Sequence, residues 1–126
     1  MKTILLFFVT FFFTHQELCA QTTETTTNCP CDYPSLIFKK DKLELSPDTK
    51  LLLAQAATKL KSRPNCSLIF IGYPNATKHD QALCQRRLDK IKIYFIEIQS
   101  ISSDRITTNC EIRTGDNNTI DIKCDN

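Results

Sequence analysis

Apolar and polar positions along the chain alternate between the spacing of strands and that of helices. Ser35-Leu36-Ile37-Phe38 is a short apolar run between Pro34 and a polar stretch over 39–44, and it predicts a first strand. Ser46-Pro47-Asp48 then supplies an N-cap hydroxyl, a proline at the first helical position and an acid in the first turn. Leu53, Ala56, Ala57 and Leu60 fall on one helical face, and Leu45 precedes the cap where a hydrophobic staple would begin. Pro64 disfavours helix at Arg63, so this helix is expected to stop near Ser62. Ser67-Leu68-Ile69-Phe70-Ile71 shows no polar alternation, as an interior strand would, and Gly72 to Thr77 reads as a loop.

A second helix is expected over residues 80–99, where Cys84, Leu88, Ile91, Phe95 and Ile98 form one apolar stripe. In the third strand Ile106, Thr108, Cys110 and Ile112 alternate with Thr107, Asn109, Glu111 and Arg113. Residues 114–118 read as a hairpin turn into a last strand with Ile120, Ile122 and Cys124 on one face. The expected fold is α+β: a two-layer βαβαββ sandwich with two helices on one face of a four-stranded mixed sheet.

Composition narrows the setting. One basic residue, Lys2, precedes the apolar block Ile4 to Phe13, which is shorter than the roughly 20 residues a spanning helix needs. Residues 1–20 are therefore expected to be a secretory signal peptide, cut after Ala20, with no membrane span beyond it. Gln16-Glu17-Leu18 before Cys19 lacks the small residues of a lipoprotein signal. Residues 21–34, rich in Thr, are expected to form an extended leader, and residues 35–126 one small domain. The full chain has 16 basic and 14 acidic side chains and a net charge of +2, too weak a bias to indicate nucleic acid or an anionic membrane.

Six cysteines lie beyond the expected signal: Cys29, Cys31, Cys66, Cys84, Cys110 and Cys124. An even number in a small exported domain points to disulfides and an oxidising compartment. Cys29-Pro30-Cys31 lacks zinc-ligand spacing and no Cys-x-x-Cys redox pair is present, so no metal or other cofactor is expected. The Gly-x-Ser-x-Gly, phosphate-loop and His-Glu-x-x-His patterns are likewise missing, and the expectation is a protein that is not an enzyme.

One constellation resembles a known family. Ile37-Phe38, the loop Gly72-Tyr73-Pro74-Asn75, the helix opening Leu83-Cys84-Gln85-Arg86-Arg87-Leu88, then Arg105-Ile106, Gly115-Asp116 and Thr119-Ile120-Asp121-Ile122 are similar in order to the OmpA-like, peptidoglycan-associated domain. The resemblance covers roughly residues 36–124 and is divergent and cysteine-rich. It implies a periplasmic or outer-membrane-associated module, possibly secreted, that binds the diaminopimelate centre of the peptidoglycan stem peptide. In that family a loop carboxylate takes the ammonium and a helix arginine grips the carboxylate. Here Arg87 keeps the cation, whereas Asn75 stands where the acid would be, and Asp80 is the candidate replacement carboxylate. The resemblance also implies a last strand lying between the first two, a Cys84–Cys110 bridge, and two bridges cross-connecting Cys29 and Cys31 with Cys66 and Cys124. The alternative is a disulfide-stapled scaffold that has lost the wall ligand and binds another protein of the envelope.

Overall fold

The computed structural model describes Cys29 and residues 31–125. The expected signal peptide and most of the expected leader lie outside the described residues. The elements run β1 (Leu36–Ile37), α1 (Pro47–Lys61), β2 (Ser67–Gly72), α2 (Lys78–Ile93), a π-helical turn (Tyr94–Ile98), a 3-10 turn (Ser103–Arg105), β3 (Ile106–Cys110) and β4 (Thr119–Asp125).

Local chemistry sets the helix starts. Ser46 Oγ accepts from Thr49 N at 3.1 Å, with Pro47 opening α1. Thr77 Oγ1 accepts from Asp80 N at 3.2 Å, so α2 begins at Lys78 and not at Asp80. The far end of this helix also differs from expectation. Gln99 N donates to Tyr94 O, an i to i+5 bond that closes the π turn. The extra residue in that turn breaks the helical period. Phe95 is therefore fully buried while Ile98, expected on the same stripe, is 66% exposed.

The sheet order is β1-β4-β2-β3. β3 runs parallel to β2, whereas β4 runs antiparallel to both β1 and β2. The terminal hairpin expected from the sequence is not formed: β3 and β4 flank β2 on opposite sides, and the connecting segment passes over the end of β2. That segment is anchored by Glu111 N to Gly72 O and Arg113 N to Pro74 O, both 2.9 Å. Ile112 lies beyond the end of β3 and is 60% exposed, so the inward face of that strand stops at Cys110.

Leu36, Leu68, Phe70, Ile106, Ile120 and Ile122 project from the sheet against Leu53, Ala56, Ala57 and Leu60 of α1 and Leu88, Ile91 and Phe95 at α2. The Phe70 and Phe95 rings meet at 5.3 Å. Each such fully buried large side chain contributes about 2 kcal/mol through loss of hydrated apolar surface. Three disulfides fasten the layers: Cys29–Cys66, Cys31–Cys124 and Cys84–Cys110. The first two tie the start of the described chain to the start of β2 and the end of β4. The third joins the head of α2 to the end of β3. Among the described residues no helix is long and apolar enough to cross a membrane.

Candidate functional site

Three loops converge where α2 begins: residues 38–46 after β1, residues 73–77 after β2, and residues 111–118 before β4. Arg87 projects from the middle of α2 into this convergence and is 1% exposed. Its Nε donates to Lys42 O at 2.8 Å, Nη1 to Asn117 O at 3.0 Å, and Nη2 to Lys39 O at 2.9 Å and Asn118 Oδ1 at 3.2 Å. The Phe38 ring packs against the guanidinium at 4.8 Å. All but one of the guanidinium N–H groups are thus taken by oxygens of the chain itself.

The acceptors are prearranged. Lys42 N donates to Lys39 O, closing a turn in which Asp41 adopts a φ of 55°, a left-handed conformation that Asp tolerates. Asp116 accepts from Asn118 N and Thr119 Oγ1, each at 2.8 Å, and thereby fixes the turn that presents Asn117 O and Asn118 Oδ1. Those two bonds, the backbone N–H first, hold the Asp116 carboxyl below its ordinary range.

Every acceptor of Arg87 is electrically neutral. Burial pulls the Arg87 pKa down, and Asp41, Asp116 and Asp80 oppose that pull. None of these carboxylates is within ion-pair distance of it. Among the described residues the acid–base contact within 4 Å is His79 Nε2 to Asp41 Oδ1, at 3.5 Å and largely exposed, an ion pair only when the imidazole is protonated. Asn75 is half-buried in the loop after β2, and its amide makes no hydrogen bond to the described residues. Asp80 is half-buried in the first turn of α2. Arg87 is therefore joined to the loops at 39–42 and 117–118 and not to Asn75 or Asp80. A cavity of about 500 Å³ is lined by Phe38, Lys39 and Lys42, which also contact the guanidinium, and by Glu44 and Leu45; Arg87 itself does not line it.

No protein family and no curated protein sequence matches the chain. Solved structures do. The peptidoglycan-associated lipoprotein from Burkholderia pseudomallei superposes with a TM-score of 0.61 at 18% identity, over 72% of this chain and 89% of that one. The OmpA-like domain of FopA1 from Francisella tularensis subsp. tularensis SCHU S4 gives 0.58 at 18% identity, over 73% and 74%. The chain has an OmpA-like fold.

Within the OmpA-like fold a second polar cluster lies on the sheet face away from the helices, and the sequence reading missed it. Asp121 on β4 accepts from Ser35 Oγ at 2.6 Å and from Tyr73 Oη at 2.8 Å. Arg113 stacks 3.6 Å over the Tyr73 ring. The Ser35 hydrogen bond first, with the Tyr73 bond adding to it, pulls the Asp121 carboxyl below its ordinary range against desolvation. Burial and the bonded carboxylate push the Tyr73 phenol up, so it stays a donor. An acid between two inward isoleucines, Ile120 and Ile122, was the available signal: period-2 alternation places Asp121 on the opposite face.

Arg105 is also a tether. It donates to Cys66 O at 3.0 Å and to Leu60 O and Arg63 O, both at 2.6 Å, at the C-terminal end of α1.

Proposed function

We propose that the protein is an exported, non-catalytic module of the bacterial envelope that contacts peptidoglycan weakly, with Arg87 as the group that takes a stem-peptide carboxylate. The observation that carries this reading is a buried guanidinium bonded only to neutral oxygens. A buried cation ordinarily has a counter-charge, and a carboxylate is a stronger acceptor than the carbonyls now in place. The loop that holds Arg87 also borders a cavity of about 500 Å³, lined by Phe38, Lys39 and Lys42, which gives a ligand room on the 39–45 side. The likeness in fold to the peptidoglycan-associated lipoprotein supports the same ligand class. Weakness follows from two features. A carboxylate has to displace contacts that Arg87 already makes, and Asn75 brings no charge to a ligand ammonium.

The second reading, a protein-binding scaffold without wall affinity, is favoured by those same internal contacts, because they commit four of the five Arg87 N–H groups to a tether. Retention on purified sacculi separates the two. Under the first reading the wild type co-sediments with sacculi, Arg87→Lys loses most of that retention because it keeps charge but not the planar fork, and Asn75→Asp tightens it several-fold. No retention of a folded wild type, or equal retention of Arg87→Lys, supports the scaffold instead.

A further inference from the structure

Resting on the reading of Arg87 as the carboxylate site, we propose that residues 39–45 form an autoinhibitory strap, whose carbonyls fill the edge of the guanidinium that a carboxylate would grip and which swings away when ligand binds. Nε–H and one Nη2–H of an arginine point the same way along one edge, a fork that a carboxylate grips with both oxygens. At Arg87 the strap fills that fork, with Nε on Lys42 O at 2.8 Å and Nη2 on Lys39 O at 2.9 Å. The other Nη2–H and one Nη1–H face the 117–118 turn, on Asn118 Oδ1 and Asn117 O. Two carbonyls of one turn thus stand in for the two oxygens of a carboxylate, without its charge.

Of the two elements that hold Arg87, the strap is the one free to yield. The 117–118 turn is locked. Asp116 accepts from Asn118 N and Thr119 Oγ1, Asn118 O accepts from Phe38 N, and the chain passes directly into β4 between β1 and β2. Residues 39–45 have far less. Among the described residues their backbone-to-backbone bond is Lys42 N to Lys39 O, inside the strap itself. Lys39, Lys40, Asp41, Lys42 and Glu44 are exposed, and Leu43 and Leu45 are half-buried. The cavity of about 500 Å³ bordered by Phe38, Lys39, Lys42, Glu44 and Leu45 leaves the strap unpacked on that side. Asp41 adds a second fastening, 3.5 Å from His79 at the head of α2, but both side chains are largely exposed and such a contact contributes little.

The closed turn places Asp41 at a φ of 55°, a left-handed conformation that aspartate tolerates and a β-branched residue resists. A strap that must open first lowers the apparent affinity in proportion to the fraction of molecules in which it is open. Loosening the turn at Asp41 therefore tightens binding without touching Arg87.

Soluble diaminopimelate-containing muropeptides, titrated into the disulfide-intact exported chain, test this by affinity and by amide exchange. In the wild type, saturation with muropeptide is expected to speed exchange at Lys42 N–H about tenfold while Asn118 N–H keeps its protection. Asp41→Val, which disfavours the closed turn, is expected to bind about fivefold more tightly than the wild type. Asp41→Gly loses the same carboxylate but accepts the left-handed φ, and is expected to gain no affinity. Binding that leaves Lys42 exchange unchanged overturns the strap and leaves the wall-binding reading standing. So does a folded Asp41→Val that binds no more tightly than Asp41→Gly. Absence of muropeptide binding at millimolar concentration in both the wild type and Asp41→Val removes the wall-binding reading, and the strap falls with it. The exchange measurement is made on the wild type, so it decides the matter even where Asp41→Val does not fold.

Discussion

Truncating Arg87 is the sharpest test of how the loop cluster is held. Arg87→Ala removes four hydrogen bonds that join α2 to the 39–42 loop and to the 117–118 turn. It also removes the stacking partner of Phe38. Hydrogen bonds from a charged donor contribute about 1.5–3 kcal/mol each, but they do not add here, because the freed carbonyls regain water when the loops part. Stacking on Phe38 contributes about 1 kcal/mol. Against these stands the recovered desolvation of the guanidinium, which the folded state bears without a counter-ion. The net expectation is a loss of about 3–5 kcal/mol, a large part of the stability of a domain this size. With a urea slope of about 1.3 kcal/mol per molar, the midpoint falls by about 3 M. The assay is urea unfolding under non-reducing conditions, followed by circular dichroism. Arg87→Lys, which keeps charge and much of the stem, should lose about half as much. Amide exchange at Phe38, whose N–H donates to Asn118 O at 2.8 Å, should accelerate in Arg87→Ala while amides in the middle of β2 keep their order of protection. A loss below about 1 kcal/mol would refute the reasoning, because a guanidinium that buries and bonds as described cannot be removed so cheaply.

Two further outcomes follow from the structure. The Asp121 carboxyl titrates lower in the folded chain than its unfolded value of 3.8, so its contribution is complete above that value and is lost as pH falls through the lower folded value. Thermal melts should therefore show an acid limb below about pH 4 that is shallower in Asp121→Asn. Gly72 sits against the disulfide at the head of α2, and a Cβ there would overlap Cys84 Sγ. Gly72→Ala should cost about 2 kcal/mol by overpacking, and far less when Cys84→Ala and Cys110→Ala have removed the bridge. An equal cost in both backgrounds would mean that the sulfur is not what excludes the methyl.

Helix starts and core faces were legible because they depend on contacts within a few residues. Ser46-Pro47-Asp48 carries its own cap, and Leu53, Ala56, Ala57 and Leu60 are all buried as their spacing implied. The end of α2 was not legible in the same way. Cys84, Leu88, Ile91, Phe95 and Ile98 keep an unbroken helical period in the sequence, and nothing in it marks the π turn that frees Ile98. The turn-like residues before β4 were read as a hairpin because local composition reports that a chain turns, not which strand it will pair with. Insertion of β4 between β1 and β2 is a long-range choice. It is set by the match of Ile120 and Ile122 to the helix-covered face, and it was reached through resemblance, not periodicity.

The candidate site shows the same division more sharply. That a cation would stand at position 87 could be read directly, and so could the absence of an acid at Asn75. What it would touch could not, because its acceptors are main-chain oxygens of Lys39, Lys42 and Asn117, groups that every residue possesses and no motif encodes. Arg105 repeats the device at the far end of the sandwich, again on backbone carbonyls. The two differ in what surrounds them. Arg105 is half-exposed at a helix C-terminus, where the carbonyls and the helix dipole both favour a cation and water screens the rest. Arg87 is buried, lies well inside α2, and faces neutral acceptors with its nearest carboxylates beyond ion-pair reach. A tether alone accounts for Arg105. At Arg87 the same bonding leaves a buried positive charge unneutralised, and that remaining charge is the physical reason to look for an anionic ligand there.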